Sequence, residues 1–161
     1  MAELLPVKES LAARFPSLAG AITAPRPRRV GCLVPAALLH EVIDHAVEAL
    51  GFDRLCAITG HDERTAFAAS YALSRPDGTV LSLRTQVPHD RPVLQTVTAR
   101  FPGAANYERE LVDLFGFEVE GLPPGKRYPL PDDWPLDQKP LRKDWSVPPK
   151  APPAPSKQEG P

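Results

Sequence analysis

A chain of 161 residues, 42% of them hydrophobic and 24% charged, has the size and composition of about one folded domain. Its formal net charge of −1 at pH 7 argues against nucleic acid or an anionic membrane as the main partner. The two cysteines, Cys32 and Cys56, are too few for a disulfide framework and fit a reducing, cytoplasmic compartment. No run approaches the ~20 apolar residues of a membrane span, so we expect a soluble protein or one that other proteins hold at a membrane.

The first part of the chain alternates helical and extended patterns. The spacing of its apolar residues predicts helices over residues 4–19 and 35–50 and strands over residues 30–34 and 55–59. Residues 23–29, with two prolines and three arginines, are interpreted as a solvated loop. Contact between these arginines and an acidic partner surface is the less favoured interpretation. His61 and Asp62 follow a strand and are interpreted as part of a turn.

The middle of the chain predicts a β-hairpin. Residues 66–73 and 79–87 flank the turn signal Pro76-Asp77-Gly78, whereas residues 93–101 are ambiguous between strand and helix. The order of elements predicts an α+β fold, with a mostly antiparallel sheet of about four strands covered by helices on one face. We divide the chain into an α+β domain over residues 1–120, an extended arm over residues 121–149 and a disordered tail over residues 150–161.

Candidate catalytic and metal-binding residues do not form a recognisable set. His40 and His45 are five positions apart, so on a helix they point in different directions and do not make the i,i+4 pair of a zinc site. Cys32 and Cys56 lie in predicted strands, where small apolar packing is the simpler role. The sequence has no phosphate loop or dinucleotide fingerprint. It therefore predicts no catalytic, cofactor-binding or metal residue in this chain.

A short charged helix is predicted from Asn106, a good N-cap, to Gly116. At 100° per residue its apolar arc consists of Tyr107, Leu111, Val112, Leu114 and Phe115. Arg109 and Asp113 lie on the other side with favourable i,i+4 spacing. Glu108 falls within the apolar arc, so it either reaches solvent from the first turn or is buried and paired. For the buried alternative we expect an ionised carboxylate held by Arg142 or, as second choice, Arg127.

The segment that follows cannot form a regular helix or a central strand, because it contains prolines at positions 123, 124, 129, 131, 135 and 140. It nevertheless carries both tryptophans, Trp134 and Trp145, together with Leu130, Leu136 and Leu141. A segment with so much apolar surface and so little capacity to fold alone needs a surface to lie on.

Four blocks of this region carry a family resemblance: Glu108-Arg109-Glu110, Asp113-Leu114-Phe115-Gly116, Leu130-Pro131-Asp132-Asp133-Trp134 and Pro140-Leu141-Arg142-Lys143-Asp144-Trp145. In this order they resemble the signature of the 30 kDa subunit family of respiratory complex I, the NADH-quinone oxidoreductase. The family includes the related module of membrane-bound NiFe hydrogenases and formate hydrogenlyases. Residues 101–106 are also similar to the family's lead into the helix, so the resemblance runs from Phe101 to Trp145.

The resemblance implies a non-catalytic subunit without a cofactor of its own, peripheral on the inner face of the cell membrane through its partners. Those partners are a large catalytic subunit, of the 49 kDa or NiFe-hydrogenase-large type, and a small iron–sulfur subunit. They carry the iron–sulfur clusters and the flavin or NiFe centre, and the arm wraps the large one. The subunit-interface residues so implied are Glu108, Arg109, Glu110, Asp113, Trp134, Leu141, Arg142, Lys143, Asp144 and Trp145.

Two departures from the complex I pattern bear on the type of complex. Leu122 and Lys139 stand where many complex I members have histidine, and in this respect the chain is similar to the hydrogenase-type relatives. Both a quinone-reducing and a hydrogenase-type complex stay open at this point. A free-standing adaptor that uses the same arm is the alternative function, and an enzyme in its own right is the least favoured one.

Overall fold

The computed structural model describes residues 5–147, so the predicted tail over residues 150–161 lies outside the described part. Residues 5–147 contain three α-helices: α1 (Leu5–Arg14), α2 (Leu39–Glu48) and α3 (Ala104–Glu110). Seven strands are present: β1 (Ile22–Arg26), β2 (Arg29–Leu33), β3 (Arg54–Asp62), β4 (Ala66–Ser74), β5 (Val80–Pro88), β6 (Val93–Gln95) and β7 (Glu118–Glu120). Short 3-10 helices, Pro16–Ala21 and Ala36–Leu38, precede β1 and α2. They include residues that were predicted to be α-helical, so α1 and α2 are shorter than the predicted helices.

The main sheet has five strands in the order β1-β2-β5-β4-β3. All neighbours are antiparallel except β2 and β5, which run parallel. The prediction of an α+β fold with a mostly antiparallel sheet is confirmed, and so is the hairpin formed by β4 and β5. The prediction of a loop over residues 23–29 is wrong, because β1 occupies most of it. β1 is an edge strand with an irregular register, and proline is tolerated at such an edge.

The core lies on one face of this sheet. Along β5 the side chains of Leu81 and Leu83 are buried, whereas those of Ser82 and Gln86 are exposed. Cross-strand partners project to the same face of a sheet, so the buried side of β5 continues into the neighbouring strands. The buried cluster on that side also includes residues of α1, α2 and the segment after β6. The sheet is therefore packed against helices on one side and carries polar side chains on the other.

The segment from residue 93 to 120 differs from the prediction in two ways. The ambiguous residues 93–101 begin with the short strand β6, which pairs in parallel with β7 in a separate two-stranded sheet. Helix α3 begins at Ala104 with Gly103 in the N-cap position, so the prediction that Asn106 caps it is wrong. A π-helical turn, Leu111–Phe115, continues α3, and Gly116 ends it in the left-handed conformation with φ of 79°, as predicted.

Gly60 fixes how closely the end of α3 approaches β3. A Cβ atom at Gly60 would lie 2.6 Å from the Phe115 ring and 2.9 Å from Leu111. We expect Gly60→Ala to destabilise the protein by about 1–3 kcal/mol, because the packed helix end must move. Gly20→Ala, where nothing lies within 4 Å, is the control and should change stability by less than about 1 kcal/mol. Urea unfolding of both variants measures the difference in free energy of unfolding. Equal effects would show that the structure near Gly60 accommodates an added methyl group without cost.

Candidate subunit interface

The arm caps the C-terminal end of the helix that α3 and its π-helical turn form. An α-helix leaves its last carbonyl groups without helical partners and places partial negative charge there. The Lys139 Nζ donates to the Val112 carbonyl (3.1 Å), the Leu141 amide to that of Leu114 (3.1 Å) and the Arg142 Nε to that of Phe115 (2.5 Å). Residues 121–147 contain no helix or strand and take their position from such contacts.

Asp113 holds the first half of the arm. The residue is 4% exposed, and its carboxylate forms an ion pair with the guanidinium of Arg127 and accepts a hydrogen bond from the Leu130 amide (2.9 Å). The same guanidinium donates to the carbonyl of Trp134. The buried Asp113 carboxylate therefore holds the arm directly at Arg127 and at Leu130, and through Arg127 also at Trp134.

The predicted pairing of Asp113 with Arg109 is not formed. Arg109 instead donates to the Asn106 side chain (3.2 Å) and the Pro123 carbonyl (3.1 Å). The π-helical turn explains the difference, because its hydrogen bonds connect residues five apart and residues after Glu110 no longer advance by 100° each. Asp113 consequently faces the arm rather than the solvent side of the helix.

A second buried carboxylate, Asp62 at the end of β3, holds the last part of the arm. It accepts hydrogen bonds from the amides of Arg64 and Lys143, both at 2.7 Å. Burial alone raises the pKa of Asp62, but the amide donors of Lys143 and Arg64 together with nearby positive charge outweigh it and leave the pKa below its ordinary value. Next to this contact, the Arg142 guanidinium lies 5.0 Å from the centre of the Phe67 ring.

The two tryptophans of the arm form one unit. Their ring centres are 6.2 Å apart, and both indole N–H groups donate to Gln138, from Trp134 to its carbonyl (3.0 Å) and from Trp145 to its side chain (2.6 Å). Outward from this unit, Leu136 is 77% exposed and Leu141 is 51% exposed. We call the exposed apolar side chains of the arm, Tyr128, Leu136, Leu141 and Val147, the arm surface.

Glu108 is buried, as one of the two alternatives predicted, but its partners are different. It is 1% exposed and accepts hydrogen bonds from the Thr96 hydroxyl (2.6 Å) and the Val97 amide (2.7 Å). The prediction that Arg142 or Arg127 holds it is wrong, because those guanidinium groups bind Phe115 and Asp113. Burial raises the pKa of Glu108, although the hydrogen bonds from Thr96 and Val97 oppose that shift.

The predicted interface residues thus occupy three kinds of position. Glu108 and Asp113 are internal, Arg109 and Glu110 are half-buried on α3, and Lys143 and Asp144 are exposed on the arm. The sequence did not indicate the anchoring roles of Asp62, Arg127 and Lys139, because each depends on a partner distant in the chain. It also did not indicate the role of Gln138, whose partners are the two tryptophans of the same arm. Asp62 had a visible signal, its place at the end of a strand, but that signal indicated only a turn.

Within residues 5–147 no three His, Cys, Asp or Glu side chains are grouped so as to hold a metal ion. In the same range, no helix combines the length and the apolar character needed to cross a bilayer.

The pKa of Glu108 generates a prediction on stability. A carboxyl group whose pKa is raised by folding binds more protons in the folded state, so the free energy of unfolding falls as pH rises from about 4.5 to the raised value. Glu108→Gln should lie within about 1 kcal/mol of the parent protein at pH 5, because an amide keeps the contacts with Thr96 and Val97. It should then gain stability relative to the parent as pH rises to 8.

Urea unfolding from pH 4.5 to 8 tests this, with Glu110→Gln on the same helix as the control. Glu110 makes no hydrogen bond through its side chain within the described residues, and its replacement should cost under about 1 kcal/mol. A large loss of stability for Glu108→Gln at every pH would instead indicate an ionised, paired carboxylate.

The Asp113 contact predicts how the arm is released. Asp113→Asn should destabilise the arm by on the order of 3 kcal/mol, because the buried Arg127 guanidinium loses its counter-charge. Amide hydrogen exchange of Leu130 should accelerate accordingly. Asp144→Asn, an exposed carboxylate of the same arm, is the matched control and should leave that exchange unchanged. Identical exchange in the two variants would show that Asp113 does not anchor the arm.

Comparison with known proteins gives consistent results. A family model described as the 30 Kd subunit of respiratory-chain NADH dehydrogenase matches residues 32–151. A subunit of the F(420)H(2) dehydrogenase of Methanosarcina mazei is 34% identical over 140 residues, covering 85% of this chain and 88% of the relative. Formate hydrogenlyase subunit 5 of Escherichia coli is 41% identical over 95 residues, which cover 56% of this chain but only 17% of that relative.

Among solved structures, a chain of the membrane-bound sulfane sulfur reductase, an archaeal respiratory membrane complex, superimposes with a TM-score of 0.80. The match has 26% sequence identity and covers 91% of this chain and 87% of the other. Both the family model and the Methanosarcina mazei relative cover most of the sequence. This chain therefore belongs to the family of the 30 kDa subunit of respiratory-chain NADH dehydrogenase.

Proposed function

We propose that this chain is a non-catalytic subunit of a membrane-associated oxidoreductase complex and that its arm surface docks on a large catalytic subunit. The complex is of the NADH:quinone oxidoreductase type or the membrane-bound hydrogenase type. A small iron–sulfur subunit is the second neighbour. The iron–sulfur clusters, with a flavin or NiFe centre, reside in those partners, and the partners hold this chain at the inner face of the cell membrane.

The observation that carries the proposal is the position of exposed apolar side chains. Large hydrophobic residues exposed within residues 5–147 are Leu33, Tyr128, Leu136, Leu141 and Val147, and all except Leu33 belong to the arm. Hydrophobic burial is favourable by roughly 25 cal/mol per Å², so large apolar side chains exposed along one segment favour an interaction there. A surface of this kind, on a segment that Asp113 and Asp62 already fasten, supports docking without a large ordering cost.

The length of a relative supports a large partner. In formate hydrogenlyase subunit 5 the matched region is 17% of the chain, so there the module is one part of a much longer polypeptide. Covalent linkage keeps two contacting domains at high effective concentration. An equivalent large neighbour fits the arm of the present chain, which has exposed leucines and half-buried tryptophans.

A test uses the tagged full-length chain expressed in its own cells and purified from detergent-solubilised membranes. Replacing Leu136, Leu141 and Val147 together with serine should reduce co-purification of the redox subunits at least tenfold, because the apolar contact area is lost. The melting temperature of the isolated chain should change little, since these side chains are exposed.

Leu33→Ser is the matched control, because Leu33 is 46% exposed but lies outside the arm. It should leave co-purification unchanged. Recovery of the redox subunits with the triple variant at the level of the parent would contradict docking through the arm surface. Partners without redox centres would support the adaptor function instead.

A further inference from the structure

The end of the sheet farthest from the arm carries an excess of positive charge. The topology brings together the β1–β2 turn, the β4–β5 turn and the start of β3, because the register pairs Arg29 with Val80 and Arg54 with Ser74. The charged side chains of these three segments are five arginines, Arg26, Arg28, Arg29, Arg54 and Arg75, and two aspartates, Asp53 and Asp77. We call this group the basic end. Its three surplus charges stand out in a chain whose net charge is −1.

Most of these arginines have no counter-charge within the part of the chain that the structure describes. Arg75 pairs with Asp77 at 2.7 Å, which leaves Asp53 as the remaining carboxylate. Within residues 5–147 no carboxylate lies within 4.0 Å of the guanidinium groups of the other four arginines. Elsewhere Arg84 and Arg100 form ion pairs. Four unpaired arginines are therefore grouped at the basic end, where they are exposed to solvent.

The tip of the basic end is held in a defined conformation. Arg28 has a φ of 57°, a left-handed conformation that is unfavourable for a non-glycine residue. The Arg29 guanidinium donates to the carbonyls of Arg28 (2.8 Å) and Gly78 (3.3 Å), so the two turns are tied together. Arg28 stands where glycine would be less strained, and the side chain of its neighbour Arg29 is held by hydrogen bonds. These charges are therefore positioned before a partner binds.

The guanidinium groups of the basic end indicate which class of partner it binds. Guanidinium groups bind carboxylates through two parallel hydrogen bonds. The exposed large hydrophobic residues of the described chain lie in β2 and the arm, so the basic end offers no apolar side chain to insert into a bilayer. It also offers no exposed aromatic ring on which a nucleic-acid base stacks.

We propose that the basic end is a second docking surface, which binds an acidic protein surface bearing clustered carboxylates. It is separate from the arm surface, because Asp62 and the arm lie at the opposite end of the nine-residue strand β3, ~27 Å away. The proposal does not depend on the identity of the subunit bound by the arm.

The first test measures binding of fluorescein-labelled hexaglutamate to the isolated full-length chain by fluorescence anisotropy. The combined variant Arg26→Gln, Arg28→Gly, Arg29→Gln should weaken binding at least tenfold and reduce its dependence on salt concentration. Arg28→Gly alone should weaken binding while preserving stability, because glycine adopts this conformation without strain.

Arg64→Gly is the matched control, because Arg64 is also exposed and also left-handed, with φ of 68°, but lies at the other end of the sheet. It should leave binding unchanged. Equal weakening by Arg28→Gly and Arg64→Gly would overturn the proposal. Tighter binding to phosphatidylglycerol vesicles than to hexaglutamate would also overturn it, in favour of a membrane surface.

The second test asks whether the basic end is covered in the assembled complex. Ala24→Cys, an exposed position on β1, is introduced together with Cys56→Ser, which removes the exposed native thiol. Maleimide labelling of Cys at position 24 should be at least fivefold slower in the complex than in the free chain, and the triple arginine variant should abolish this protection. Equal labelling rates in the free and the assembled chain would overturn the proposal. Failure to assemble would count against the proposed function, and the hexaglutamate measurement would still decide this inference.

Discussion

The structure depends on how the C-terminal end of α3 and its π-helical turn obtains hydrogen-bond donors. Its last carbonyl groups face a proline-rich arm that has lost many of its own amide donors and cannot build a ladder with another strand. Lys139, Leu141 and Arg142 supply the missing donors, and two of the three also bring positive charge to the negative end of the helix dipole. A helix end that needs donors and a segment that needs a surface thus satisfy each other. The outward direction of the arm surface follows from that arrangement.

Three buried carboxyl groups are each stabilised by a different set of neighbouring groups. Asp113 is compensated by a guanidinium, Asp62 by two backbone amides, and Glu108 by one hydroxyl and one amide. Burial raises the pKa of Glu108 above its ordinary value, because its two donors do not outweigh that burial, whereas the donors and nearby positive charge around Asp62 hold the pKa of Asp62 below its ordinary value. Asp113 and Asp62 position the arm, and Glu108 joins α3 to the segment that follows β6. None of the three is free to contact a partner while the arm is in place.

The molecule is organised along the direction of its sheet strands. At one end the arm presents apolar side chains, and at the other the turns between strands present arginines without counter-charges. Helices cover one face between these ends and contribute to the core. For a member of the 30 kDa subunit family, this arrangement places two chemically distinct surfaces, one apolar and one basic, at opposite ends of one sheet. Two such surfaces suit a protein that connects neighbours.

The sequence by itself determined the local elements: the β4–β5 hairpin from its Pro-Asp-Gly turn, the helix end at Gly116 from its need for positive φ, and the family from four blocks in order. It also indicated that the arm needs a surface. It did not reveal β1, the parallel pairing of β2 with β5, or the partners of Glu108 and Asp113. Strand pairing and ion pairing join residues far apart in the chain, and a π-helical turn shifts side chains relative to any fixed angle per residue. Only tertiary packing decides which donor reaches which carboxylate.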